Sequence, residues 1–245
     1  MTVLDLTVAA PDGACPVSLH LPDGDGPWPA VIMYPDAAGV RPTFRAMADR
    51  LAALGYATLL PDVYYREGDW VPFDVHTVFS DPDERARLAI LARSLTADMV
   101  IADAGAFLEF LGGRPEVAGN RVGTTGYCMG GRISLIVAGH HADRVGAAAS
   151  FHGGRLADAS DPDSPALFAD RVRATVYVAA AENDDLCPPE QLDRLAKAYT
   201  EAGVAHTIET YPGAHGFAVP DNVGPYDEAL AERHWAALAA LYRSL

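Results

Sequence analysis

The chain has 245 residues, half of them hydrophobic, and a formal net charge of −15. That length can bury a large core and suits one large α/β domain as well as two small ones, whereas the charge argues against nucleic acid or an anionic membrane as partner, since both need a positive footprint. The three cysteines, Cys15, Cys128 and Cys187, make neither a disulfide framework nor a close-spaced metal cluster, which fits a reducing compartment.

No linker, repeat or low-complexity run divides residues 1–245, so a single domain is expected. The opening Met-Thr-Val-Leu-Asp-Leu lacks a basic segment followed by a long apolar run, and a cytoplasmic protein, monomeric or a small homo-oligomer, is the expectation. Val3 to Ala9 and Val17 to Leu21 alternate around a turn rich in Pro, Asp and Gly, and read as an antiparallel hairpin. Ala30-Val-Ile-Met-Tyr34 has the continuous apolar character of a strand buried on both faces. A helix opens at Pro42 and runs through Leu54 to a stop at Gly55, and Tyr56 to Leu60 forms the next buried strand. Strand, helix, strand implies parallel pairing through a right-handed crossover.

From Tyr64 to about Pro82 the chain is aromatic, acidic and irregular. Glu84 to Leu111 then carries helical periodicity with a break near Ser94, and a stretch of this length without strands suits a functional loop or cap. Val122 to Thr125 reads as a strand, Met129 to Gly139 as a helix, and Gly146 to Phe151 as the following strand. Thr175 to Ala180, a helix from Pro189 to Ala202, Thr207 to Tyr211 and a last helix from about Tyr226 to Leu245 complete the alternation. The pattern predicts a doubly wound α/β domain with a mostly parallel sheet flanked by helices.

Between the strand at 122–125 and its helix stands Gly126-Tyr-Cys-Met-Gly-Gly131, the form of a nucleophile elbow with cysteine at its centre. A turn tight enough to expose the central side chain crowds its neighbours, so glycine is needed two residues either side. Cys128 is therefore the first candidate for the reacting atom, and a thiol needs a base, which in turn needs an orienting acid. Two downstream strands run into Ala181-Glu-Asn-Asp-Asp-Leu-Cys-Pro188 and Pro212-Gly-Ala-His-Gly-Phe217. The order is nucleophile, acid, His215, that of α/β-hydrolases, with Asp184, Asp185 and Glu182 all close enough to compete for the acid role. The oxyanion hole is expected from the backbone N–H groups of Met129 and Ala37, each donor worth ~3–4 kcal/mol to the transition state.

Tyr34-Pro-Asp-Ala-Ala-Gly-Val40, Leu60-Pro-Asp-Val-Tyr-Tyr-Arg66, the elbow, Asp184 with Pro188, and Gly213-Ala-His-Gly-Phe217 occur in one order over almost the full chain. In these pieces the sequence resembles the dienelactone hydrolase family of α/β-hydrolases. The resemblance implies a hydrolase of a small carboxylic ester or lactone that needs no metal or organic cofactor. Cys128 would be the nucleophile that forms an acyl thioester, His215 the base and then the acid, and Asp184 the orienter. The family's glutamate that pairs with the resting thiol falls on Asp36, one methylene shorter, and Arg66 and Tyr127 are further candidates for thiol activation or substrate binding. The family's carboxylate-binding arginine, four residues after the histidine, falls on Val219, which argues against an unmodified dienelactone profile.

Arg66, Arg85 and Arg87 could supply anion contacts from the variable segment. Tyr64, Tyr65, Trp70 and Phe73 suit either a pocket lining or the core, and His152 either the site or the core. His140, His141 and His152 lack the spaced partners of a zinc set. A glutamine amidotransferase expects glutamine soon after the elbow glycine and His-x-Glu downstream, where this chain has Gly131-Arg132 and His215-Gly-Phe. The protease-like flavodoxin-fold family places histidine directly after the cysteine, where Met129 stands. A general carboxylesterase or thioesterase with a different pocket, and a non-hydrolytic binding protein on the same fold, stay open.

Overall fold

The computed structural model describes residues 1–245. The apolar runs become strands β3 (Trp28–Tyr34) and β4 (Ala57–Pro61), and neighbouring β3 residues feed different cores. Ile32 joins one buried cluster, while Val31 and Met33 join the other, as side chains that alternate across a pleated sheet must. The hairpin is β1 (Thr2–Ala10) paired antiparallel with β2 (Gly13–Leu21). The central segment is β5 (Val117–Tyr127), followed by β6 (Val145–Phe151), β7 (Thr175–Asn183) and β8 (His206–Ala214). Together they form one eight-stranded sheet of order β1-β2-β4-β3-β5-β6-β7-β8. β2 also runs antiparallel to β4, and every pairing from β4 to β8 is parallel.

Helices cover both faces, which the parallel pairings require. On one side α1 (Pro42–Ala53) and α6 (Glu228–Leu241) bury Phe44, Met47, Leu51, Trp235 and Leu238. On the other lie α2 (Pro82–Ser94), α3 (Ala97–Gly112), α4 (Met129–His140) and α5 (Pro189–Glu201), which contribute Leu88, Phe107, Ile133 and Leu195. The doubly wound arrangement follows the sequence pattern; the differences lie at element ends. β5 begins five residues earlier than Val122, across a register shift at Val122–Gly123. α2 starts at Pro82 rather than Glu84, because Pro fits the first helical turn and Asp81 caps it by accepting from the Asp83 and Glu84 N–H groups. The break to α3 falls at Leu95–Thr96, where Thr96 Oγ1 accepts from Met99 N. α6 gives way after Leu241 to a short 3-10 turn at Tyr242–Ser244, and Tyr242 Oη donates to Thr124 O at 2.7 Å.

Parallel strands deliver the loops after β3, β5, β6, β7 and β8 to one edge of the sheet. That edge holds Asp36, Cys128, His152, Asp184 and His215, the crevice where open α/β sheets place their ligands. No helix is long and apolar enough to cross a membrane.

Candidate active site

Cys128 sits between β5 and α4 at φ 54° and ψ −116°, a backbone region that L residues avoid and that marks strain worth a functional question. Its N–H donates to Phe151 O and its carbonyl accepts from Gly131 N, both at 3.1 Å. The turn leaves no room for side chains on either side. A Cβ at Gly126 would stand 2.0 Å from Gly130 O, and one at Gly130 would stand 2.3 Å from Tyr34 O.

The loop after β8 brings His215 to the loop after β7. His215 Nδ1 lies 2.7 Å from Asp184 Oδ2, whose side chain is 1% exposed, and the other carboxylate oxygen accepts from Leu186 N at 2.9 Å. With Asp184 as acceptor, Nδ1 carries the proton and Nε2 is left for another group. Asp185 and Glu182 are exposed; of the three acids, Asp184 is the one held against the imidazole. Burial opposes a charge on His215, but Asp184 and then Cys128 outweigh it, and the imidazole pKa rises to about 10.

Met129 opens α4, and its N–H has no acceptor within the helix. Ala37, after β3, is drawn to the same place by Tyr64, whose Oη donates to Ala37 O at 2.9 Å and lies 3.4 Å from Met129 Sδ. Tyr64 is thus a brace between the two loops rather than a pocket wall.

Three candidates need correction. Asp36 does not face the thiol with a free carboxylate: Arg41 Nη1 and Nη2 meet its Oδ1 and Oδ2 at 2.7 and 2.9 Å, and Ala38 N donates to Oδ1 at 3.0 Å. Arg66 is held away from the site by Asp103, with Nη1–Oδ2 at 2.7 Å and Nη2–Oδ1 at 2.8 Å, and by Asp12. Tyr127 points to the far side of the strand, fully buried, with its Oη 3.1 Å from His234 Nε2. Of the other arginines, Arg87 is paired with Glu84 and stacks on Phe73. Val219 is fully buried in the α1–α6 core.

Arg41 and Asp221 were silent in the sequence. Arg41 bridges Asp36 and Asp221, with Nε–Oδ2 at 2.7 Å and Nη2–Oδ1 at 2.9 Å to the latter, and Thr43 Oγ1 donates to Asp221 at 2.6 Å. This buried chain ties the Ala37 loop to the loop that carries His215. His152 is also at the site. It is fully buried at φ 39°, its ring is 5.1 Å from that of His215, and neither ring nitrogen has a protein partner. Burial, then His215 and His234, push its pKa well down, so the ring stays neutral. No three His, Cys, Asp or Glu side chains are grouped to hold a metal ion.

Cys128 opens on two cavities. One, of about 260 Å³, is bordered by His215, His152 and Asp36 with an apolar wall that includes Val75, Phe79 and Leu88. The other, of about 470 Å³, runs along Met129 and the α2–α3 seam.

The model of the dienelactone hydrolase family matches residues 16–245. A protein of Methylorubrum extorquens provisionally named carboxymethylenebutenolidase is 27% identical over 243 residues, covering 98% of this chain and 80% of that one. One of Salmonella typhi with the same provisional name is 30% identical over 217 residues, covering 86% and 75%. Among solved structures, a provisionally named dienelactone hydrolase of Klebsiella pneumoniae superposes with a TM-score of 0.84 at 24% identity, covering 100% of this chain and 99% of that one. A dienelactone hydrolase-like promiscuous phosphotriesterase from metagenomic libraries gives 0.77 at 25% identity, covering 100% and 98%. The architecture is that of the α/β-hydrolases.

Proposed function

Since the chain belongs to the dienelactone hydrolase family, and is by that membership a carboxylic ester hydrolase acting on a small molecule, we propose that it works through a thiol triad. Cys128 is the nucleophile, His215 the base and then the acid, and Asp184 the group that orients His215. The observation that carries this reading is the 2.7 Å contact between His215 Nδ1 and Asp184 Oδ2, at the mouth of a turn that holds Cys128 at φ 54°.

The thiolate of Cys128 adds to the carbonyl carbon of an ester or lactone, and the oxyanion is taken up by the Ala37 and Met129 N–H groups. As the bond to the leaving oxygen breaks, the His215 imidazolium gives that oxygen its proton, leaving an acyl thioester on Cys128. Water then adds to the thioester, its proton passes to His215, and the C–S bond breaks to return the thiolate and release the acid. Asp184 does not take the proton; it holds the tautomer and steadies the imidazolium.

Stopped-flow release of p-nitrophenol from p-nitrophenyl acetate tests the triad. The wild-type enzyme should show a burst of about one equivalent with an acetyl group added to Cys128 by mass spectrometry. Cys128→Ala should lose burst, adduct and turnover, and turnover retained in that variant overturns the assignment.

A further inference from the structure

The two cavities beside Cys128 share only Ala37, Cys128 and Leu186, and their other walls are different. Two limbs that leave the reacting carbonyl separately suit such a site better than a compact ring, whose limbs are tied together. Which limb enters which cavity follows from His215. It gives its proton to the leaving oxygen, so the cavity that His215 borders takes the alcohol, and the one along Met129 takes the acyl chain.

The alcohol cavity has an apolar wall and a rim of exposed apolar side chains. Phe79, Leu186 and Val223 are 62%, 48% and 72% exposed, a grouping of large apolar surface that marks a binding mouth rather than chance. Apart from His215, whose imidazolium proton goes to the leaving oxygen, its border offers no cation to an anion at the far end of the alcohol. Asp36 already has both oxygens on Arg41, Arg41 is shared with Asp221, and His152 is held neutral. No arginine or lysine lines this cavity. The net charge of −15 also repels anionic molecules on approach.

We infer that the substrate is an open-chain ester of an uncharged, apolar alcohol, with the alcohol limb in the cavity beside His215. The inference rests on the thiol mechanism proposed above. The reaction is the same in its balance: the alkoxide leaves with the proton of His215 as a neutral alcohol, and the acid follows on hydrolysis of the thioester.

Acetate esters of ethanol, butanol and hexanol, followed by proton release, test it, because kcat/KM covers acylation, when the alcohol is still present. The value should rise about fourfold for each methylene buried until the cavity is full. The acetate ester of 6-hydroxyhexanoate should fall at least tenfold below hexyl acetate. Val223→Lys, at a solvent-exposed position that folding tolerates, should narrow that gap at least threefold, and Val223→Thr should not. A flat response along the alcohol series, or equal turnover of the anionic ester, overturns the inference; a p-nitrophenyl acetate burst on Cys128 in the same preparation then leaves the triad standing. Loss of the burst as well brings down the triad and this inference together.

Discussion

Arg41 closes on Asp36 with both arms of its guanidinium, at 2.7 and 2.9 Å, while its Nε and Nη2 hold Asp221 from the opposite side. Forked pairing of this kind fixes geometry as well as charge, and here it joins the loop of Ala37 to the loop of His215. All three side chains are largely buried, at 7%, 10% and 19% exposure, so removing the cation strands two carboxylates. Arg41→Met should cost about 3–5 kcal/mol in urea titration. Adding Asp36→Asn and Asp221→Asn should restore most of that loss. Asp221 also has a pKa below the ordinary value, since Arg41 and Thr43 together outweigh the opposing effect of burial. Its contribution is therefore complete above about pH 4 and is lost as pH falls through the lowered value; in acid, wild type and Arg41→Met should converge.

The raised pKa of His215 sets the alkaline limit. A group lifted from an ordinary value near 6.5 to about 10 stabilises the folded state in full below about pH 6.5 and loses that contribution as pH rises through 10. Imidazolium is also the proton donor in acylation, so kcat/KM should hold through the neutral range and decline as the pH passes 10. NMR titration of the His215 ring should show its pKa lowered both in Cys128→Ala and in Asp184→Asn, because each partner raises it through hydrogen bonding and charge. Asp184→Asn can still accept from Leu186 N, so the fold should persist while kcat falls about 10²–10⁴-fold through loss of the correct tautomer.

Arg66 offers the opposite case, a cation whose role is architectural. Its guanidinium bridges Asp103, which is 6% exposed, and stacks 4.5 Å over the Tyr65 ring, while Tyr65 Oη donates to the same carboxylate at 2.9 Å. Arg66→Met should lower stability by about 3 kcal/mol, because Asp103 keeps one neutral donor and loses its counter-ion. The kcat/KM for a neutral acetate ester should stay within twofold at a temperature where the variant is folded. A large KM effect restricted to anionic esters would return Arg66 to the pocket.

What could be read from the sequence was what local sterics decide. Strands β3 and β4, the hairpin, the break between α2 and α3 and the glycines around Cys128 each follow from a few adjacent residues. The pairing of Arg41 with Asp221 joins positions 180 apart, and Arg66 meets Asp103 from 37 residues away; an arginine beside a proline or in an irregular loop gives no sign of such a partner. Tyr127 departs from its expected place for a different reason. It adjoins Cys128 in sequence, but the strand points its side chain into the opposite core, against Phe44, Phe151 and His234. His152, just past the end of β6, suits either the site or the core on its sequence alone, and the convergence of the loops after β6 and β8 is what places its ring beside His215.

The elbow itself can be tested without chemistry. A Cβ at Gly126 would overlap the Gly130 carbonyl at 2.0 Å, and one at Gly130 the Tyr34 carbonyl at 2.3 Å. Both obstacles are backbone, so no rotamer relieves them: at Gly126 the elbow itself would have to open, and at Gly130 the end of β3 would have to move off α4. Gly126→Ala and Gly130→Ala should each fail to give a cooperative thermal transition, or unfold many degrees below wild type. Gly113 is the control: its φ is −88° and a Cβ there would lie 3.6 Å from the nearest atom, Phe110 O. Gly113→Ala should change stability by less than about 1 kcal/mol, in the direction of a gain because the unfolded chain is stiffened. Circular dichroism melts of the three variants separate the outcomes. Wild-type melting in Gly126→Ala would show that the turn can relax, and that Cys128 does not depend on glycine for its place.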